Sequence, residues 1–217
     1  MKVVLVAGGS PQAGDERWLE GAGLVVAVDV GAAWLAGRGI RPDAVVGDLD
    51  SVDPGLIAAL EADGVAIERH PTAKDSSDTD LAIRYARRAG ADEVVVIGAF
   101  GGERLDHEIA NVLLLAAGSP GETSLALVRG GARVSAMRGG ETRQLAAPPG
   151  CLVSLFGVGG DATGVTTSGL RYPLAGETLE TGSTRGLSNV VDSAPASVRL
   201  QDGMLLIIEQ LDEGDER

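Results

Sequence analysis

Six short apolar runs, rich in valine and unbroken by polar residues, constrain this chain more than any other feature: Val3–Ala7, Leu24–Val28, Ala44–Val46, Val65–Ile67, Val94–Ile97 and Leu125–Val128. A strand with one wet face alternates apolar and polar residues, whereas a strand buried on both faces reads as a continuous apolar run. Strands of the second kind need covering layers, and amphipathic stretches lie between them. One runs from Asp78 through Leu81, Ala82, Tyr85 and Ala86 to a C-cap at Gly90; another runs from Asp106 through Ile109, Val112, Leu113 and Ala116 to Gly118. Alternation of strand and helix implies an α/β layer on a mostly parallel sheet.

The pattern changes after about residue 137. Short runs follow at Thr142–Leu145, Leu152–Phe156, Val165–Thr167, Val198–Gln201 and Met204–Glu209, punctuated by Pro148-Pro149-Gly150, Gly159-Gly160, Gly169 and Pro173. This spacing of turn residues predicts an antiparallel β-sandwich. The expected organisation is therefore an α/β domain over 1–137 and a β-sandwich domain over 138–217, with the acidic tail from Asp212 as a solvated end.

Charge narrows the partners. Thirty-one acidic residues face 18 basic ones, a net charge of −13, and the lysines are Lys2 and Lys74 alone. Nucleic acid and anionic membrane are disfavoured, because phosphate-rich surfaces need Lys and Arg. Cys151 is the single cysteine, which excludes an internal disulfide framework and a Cys-based zinc site. The apolar run at the N-terminus is too short to span a membrane and lacks a signal-cleavage pattern, so a cytoplasmic protein is expected.

In open parallel sheets, ligands bind beyond the carboxyl ends of the strands. Asp29, Asp48, Asp50 and Asp106 all follow predicted strands there, and Asp75, Asp78 and Asp80 precede the helix that starts near Asp78. Each has an ordinary reading: Asp78 and Asp106 as helix N-caps, Asp80 as a first-turn surface residue. Asp48 and Asp50 are two residues apart in extended chain and point to one side, where like charges repel unless a cation joins them. Converging carboxylates suit a hard cation such as Mg²⁺. Glycine loops near such a site suggest a nucleotide phosphate ligand. Gly8-Gly9-Ser10 is either a phosphate cradle or a plain turn. Arg104 beside Gly101-Gly102 is either a phosphate contact or a solvated arginine. Lys74 either balances charge or touches phosphate. No Gly-x-x-x-x-Gly-Lys-Ser/Thr and no Gly-x-Gly-x-x-Gly after the first strand occurs, which disfavours P-loop kinases and dinucleotide oxidoreductases.

Five segments in this order resemble the thiamine pyrophosphokinase (thiamin diphosphokinase) family: Val46-Gly47-Asp48-Leu49-Asp50-Ser51; Lys74-Asp75-Ser76-Ser77-Asp78-Thr79-Asp80; Gly101-Gly102-Glu103-Arg104-Leu105-Asp106-His107, continuing to Asn111; Val165–Leu174; and Gly186-Leu187-Ser188-Asn189. The resemblance covers nearly the whole chain. It implies an N-terminal α/β domain for ATP and Mg²⁺, a C-terminal β-sandwich that completes a thiamine pocket, and a homodimer with interfacial active sites. The implied reaction moves diphosphate from ATP to the hydroxyl of thiamine, giving thiamine diphosphate and AMP. On this resemblance Asp48, Asp50, Asp75 and Asp106 are candidate catalytic residues, with Asp48, Asp50 and Asp75 on the metal. Asp29, Lys74, Asp78, Gly101, Gly102, Arg104 and Asn111 are candidate ATP-binding residues, and Tyr172, Ser188 and Asn189 candidate thiamine-binding residues. The chain departs from the family pattern at Val30, where glycine is usual, at the additional Glu103, and at Val190, where an acid is common. Alternatives are a diphosphotransferase acting on a pterin-like hydroxymethyl heterocycle and a catalytically weak nucleotide- or thiamine-binding protein.

Overall fold

The structure is a computed structural model that describes residues 1–117 and 123–212. Two compact units form, one on Met1–Leu114 with the strand that ends at Arg129, the other on the residues from Gly131 onward.

In the first unit the order is β1 (Lys2–Val6), β2 (Leu24–Val28), α1 (Gly31–Ala36), β3 (Ala44–Gly47), α2 (Pro54–Ala62), β4 (Ala66–Arg69), α3 (Asp78–Arg88), β5 (Glu93–Ile97), α4 (Leu105–Leu114) and β6 (Ser124–Arg129). All six strands pair in parallel, in the order β6-β5-β1-β2-β3-β4. The central apolar runs are buried on both faces: β3 is buried throughout, and β1 and β5 at every position after the first. The run at Val65–Ile67 is not, because β4 is the edge strand and its Ala66 is exposed and Ile67 half-buried. Val4, Val6, Ala27, Val45, Val95 and Ile97 pack with Ala32 and Leu35 of α1 and Ile57 and Leu60 of α2. Alternate residues point to the opposite face, and α3, which buries Ala82, Ile83 and Ala86, contacts β1, β2 and β3. The strand order reverses between β1 and β5, and such switch points open a crevice beyond the carboxyl ends.

The amphipathic stretches become α3 and α4. Ser77 caps α3, its Oγ accepting from the Asp80 N–H at 3.2 Å, so the cap is Ser77 rather than Asp78. Gly90 follows the helix in the left-handed region, at φ 84°. The expected C-cap at Gly118 and the tail from residue 213 lie outside the described residues. Apolar periodicity does not announce α1 and α2, which are six and nine residues long. The start of α2 is instead written in Asp53-Pro54: the Asp53 carboxylate accepts from the Gly55 N–H at 3.0 Å and proline occupies the first turn.

The second unit contains β7 (Ala132–Arg138), β8 (Thr142–Gln144), β9 (Leu152–Gly157), β10 (Ala162–Ser168), β11 (Ala175–Leu179), β12 (Asn189–Val190), β13 (Ser197–Arg199) and β14 (Met204–Gln210). β7 therefore groups with the residues after 138, pairing antiparallel with β14 along its whole length. One sheet runs β12-β9-β14-β7 and the other β11-β10-β13-β8, all antiparallel. Burial alternates with period two along β14 and β9, as a one-sided sheet requires. Met137, Val153, Leu155, Leu205 and Ile207 from the first sheet meet Val165, Leu179 and Val198 from the second in one core, which makes this unit a sandwich. Each fully buried leucine there contributes about 1.5–3 kcal/mol, and Leu205→Ala would cost about 2–5 kcal/mol. Among the described residues no helix is long and apolar enough to cross a membrane.

Candidate active site

The carboxyl edge of the parallel sheet holds a cavity of about 620 Å³ within the first unit. Its walls come from the loops after β1, β2, β3 and β5, the segment 72–79 leading into α3, and the first turns of α4. The acidic wall is the informative one. Oxygens of Asp29, Asp48 and Asp50 lie within 4.8 Å of one another. Asp29 and Leu49 hold left-handed φ angles of 49° and 63°, a conformation costly for non-glycine residues and concentrated at functional sites. Gly47 makes this approach possible. A Cβ there would come within 3.2 Å of the Asp29 Cβ, and its own φ of 155° is one that side chains rarely adopt.

Electrostatics follow from this crowding. Burial, together with the charges of Asp78, Asp48 and Asp50, pushes the Asp29 carboxyl above the usual carboxylate range. Asp29 Oδ1 is buried with no hydrogen-bond partner. A buried orphan oxygen beside two further carboxylates is destabilising unless a cation completes it, so this donor set fits a hard divalent ion. Lys74 supplies the other positive charge. Its Nζ lies 2.8 Å from Asp48 Oδ2 and 3.0 Å from Asp78 Oδ1. The hydrogen bond from Lys74 holds Asp48 below its ordinary value. Burial works against the Lys74 ammonium, but its bonds to Asp48 and Asp78 outweigh burial and raise its pKa.

The other candidates divide. Asp75 is exposed and does not line the cavity, although its neighbours Lys74 and Ser76 do. Asp80 stands in an exposed ion pair with Arg84, 2.7 Å away, one turn along α3. Asp106 lines the cavity but is clasped by Arg104, with Nε–Oδ1 at 2.9 Å and Nη2–Oδ2 at 2.6 Å. This pairing pulls the exposed Asp106 carboxyl down to about 2. Gly101, Gly102 and the additional Glu103 line the same wall. Asn111 is buried on α4 and donates Nδ2 to the Ala99 carbonyl at 2.8 Å, tying the helix to the loop after β5.

Gly8-Gly9-Ser10 does not offer the full backbone cradle that its glycines suggest. The Gly9 N–H donates to Gly98 O and the Ser10 N–H to Phe100 O, both at 2.9 Å. The glycines serve close approach instead: a Cβ on Gly9 would lie 2.4 Å from the carbonyl oxygens of Gly98 and Phe100. Val30 is accommodated for the same reason. Its backbone is ordinary helical, φ −59°, and its Cγ2 fills the place a Cβ on Gly8 would take, at 2.3 Å. The sequence reading did not single out Ser51, Thr72, Ser76, Ser77 and Thr79, whose positions line the cavity. For all of them but Ser51 the signal is the run of hydroxyl residues around Lys74.

In the second unit Tyr172 is 56% exposed in a chain with only two tyrosines, two tryptophans and two phenylalanines. Ser188 adopts a left-handed φ of 56°, and Asn189 is buried at the start of β12. The Asn189 side chain bonds the main chain of Tyr172 twice: Oδ1 accepts from the Tyr172 N–H at 3.0 Å and Nδ2 donates to the Tyr172 carbonyl at 2.7 Å.

Comparison with known proteins matches both units. The family model described as thiamin pyrophosphokinase, catalytic domain, matches residues 16–125, and that described as thiamin pyrophosphokinase, vitamin B1 binding domain, matches residues 143–205. A thiamine pyrophosphokinase of Bacillus subtilis is 27% identical over 189 residues, which cover 87% of this chain and 88% of the relative. The crystal structure of thiamine pyrophosphokinase from Bacillus subtilis is similar with a TM-score of 0.87 at 25% identity, covering 98% of this chain and 100% of that one. That of thiamin pyrophosphokinase from Geobacillus thermodenitrificans gives a TM-score of 0.83 at 27% identity, covering 99% of each chain.

Proposed function

Since the chain belongs to the thiamin pyrophosphokinase family, we propose that it transfers diphosphate from ATP to the hydroxyl of thiamine, giving thiamine diphosphate and AMP. The observation that carries this reading is the convergence of the Asp29, Asp48 and Asp50 carboxylates, with Asp29, Asp48 and Lys74 lining one cavity and Asp50 exposed beside them. Phosphoryl transfer asks mainly for positioning and charge neutralisation, and this wall provides both signs of charge at short range.

Asp29, Asp48 and Asp50 would hold Mg²⁺, and Asp75, whose carboxylate does not join that group, takes no ligand role in this reading. When bound, that ion would offset negative charge on the transferring phosphates. Lys74 turns from Asp48 and Asp78 toward the phosphates, and Arg104 exchanges its clasp on Asp106 for a phosphate oxygen. The thiamine hydroxyl oxygen forms its bond to the β-phosphorus as the bond from that phosphorus to the α,β-bridging oxygen breaks. AMP leaves with the bridging oxygen, and a carboxylate of the cavity takes the hydroxyl proton. Thiamine is itself cationic, so an acidic wall favours the acceptor as well. ATP as donor suits a cytoplasmic place of action.

We also infer a homodimer. Leu105, Ile109 and Leu113 follow one another at four-residue spacing along α4, and each is more than half exposed. Contiguous exposed apolar side chains mark an interaction surface, and Ile109→Glu should turn a dimer into a monomer by light scattering.

The activity is tested with purified protein, Mg²⁺ and ATP, offered either thiamine or a pterin alcohol and assayed for AMP. Release of AMP with thiamine alone is expected. Release with the pterin alcohol alone, or thiamine binding without any AMP, contradicts the reading.

A further inference from the structure

We propose that Asn189 acts on thiamine through Tyr172, as the residue that positions that aromatic ring, and not by touching the substrate. The proposal rests on reading this unit as the thiamine-recognition part of the enzyme, the part that matches the vitamin B1 binding family model.

The argument begins with strand pairing. Leu170 and Val191 form an antiparallel bridge, and the Arg171 N–H donates to Val190 O at 2.9 Å. The next step of that register sets Tyr172 opposite Asn189 as a non-hydrogen-bonded pair, so strand pairing supplies no main-chain bond to Tyr172 there. There the main chain of Asn189 is engaged on its other side, in register with Val153 of β9. The preceding Ser188 turns away in the left-handed region, and Pro173, which follows Tyr172, has no N–H to carry a ladder onward. The carboxamide of Asn189 fills the gap. It carries the same acceptor and donor as a peptide unit, and it makes both bonds that a partner strand would make to Tyr172, at 3.0 and 2.7 Å. Oδ1 also accepts from the Val190 N–H at 2.9 Å. With Oδ1 and Nδ2 so engaged in a buried position, the amide is poorly placed to recognise a ligand. What it does is hold the backbone under an exposed aromatic ring, the natural platform for a flat cationic heterocycle.

The test is a double-mutant cycle, read as the thiamine dissociation constant by calorimetry and as thiamine KM and kcat. Tyr172→Ala and Asn189→Ala should each raise the dissociation constant and KM about three- to tenfold with little change in kcat, and the double variant should be no worse than Tyr172→Ala. Asn189→Asp keeps the shape of the side chain but turns the donor facing the Tyr172 carbonyl into an acceptor; it should also weaken thiamine binding. A side chain that touched the cationic substrate would give the opposite result, because a new carboxylate would tighten it. Additive losses in the cycle, tighter binding by Asn189→Asp, or unchanged binding in Tyr172→Ala would each overturn the proposal while leaving thiamine turnover by the parent protein intact. No thiamine binding by the parent protein would overturn the enzyme assignment together with it.

Discussion

Lys74 bridges two acids from different parts of the first unit: its Nζ lies 2.8 Å from Asp48 Oδ2, in the loop after β3, and 3.0 Å from Asp78 Oδ1, at the start of α3. The ammonium thus neutralises charge in a wall that would otherwise be strongly repulsive. Lys74→Met should lower turnover about tenfold or more and raise KM for ATP, because both the phosphate contact and the local charge balance are lost. Steady-state kinetics, with circular dichroism to check the fold, measure this; unchanged kcat and KM would show that Lys74 only balances charge.

Gly9 should not tolerate a side chain. Gly9→Ala places a Cβ 2.4 Å from two carbonyl oxygens, those of Gly98 and Phe100, and backbone on both sides cannot swing away as a side chain would. We expect destabilisation of about 1–3 kcal/mol and impaired turnover, since the loop after β5 carries part of the cavity wall. Urea denaturation checks the first expectation and the AMP assay the second.

Asp15 is a structural acid. It is fully buried and accepts from the Gln12 N–H at 2.7 Å and from the Gly130 N–H at 2.8 Å, joining the turn before Asp15–Leu19 to the end of β6. Asp15→Ala leaves those N–H groups without partners and should cost about 2–3 kcal/mol, seen as a lower urea midpoint with an unchanged slope.

Glu68 gives a pH dependence. Burial would raise its carboxyl, but hydrogen bonds from Arg88 and His70 outweigh burial and hold it below its ordinary value. A depressed folded-state pKa contributes stability that is present above the unfolded carboxylate value and is lost as pH falls through the folded value. Glu68→Gln should therefore melt below the parent protein at pH 7, and the gap should close in acid. A gap that stays constant from pH 7 to about pH 3 would assign the effect to packing.

The parallel sheet and the sandwich are legible in the sequence because burial on two faces and burial on one face leave different periodicities. Helices α1 and α2 are not, since they are short and their start signals lie in single residues such as Asp53 and Pro54. β7, β11 and β12 also escape: β12 has two residues, too few for any period. In the site, Asp48 and Asp50 stand out by their spacing, but the extended-chain reason for it fails. β3 ends at Gly47 and Leu49 between them is left-handed, φ 63°, so a turn and not an extended chain brings their carboxylates together. Asp29 stands out less, although it carries the orphan buried oxygen, because its approach depends on a left-handed backbone and on Gly47, which is distant in sequence. Asp75 illustrates the converse. It adjoins Lys74 in sequence, yet adjacent residues of a loop need not share a direction. Asn189 resembles a ligand-binding residue until its bonds to Tyr172 are seen, because the same carboxamide serves substrate or backbone.

The central claim is that the carboxylates of the loop after β3 hold the cation used in diphosphate transfer. Turnover of Asp48→Asn and Asp50→Asn, measured as AMP released with thiamine, ATP and Mg²⁺, tests it most directly. Each substitution removes one ligand charge while keeping the side chain's shape, so a fall of at least about tenfold in turnover is expected, with the folded circular dichroism spectrum retained. Near-normal turnover in both variants would contradict the assignment of the metal seat.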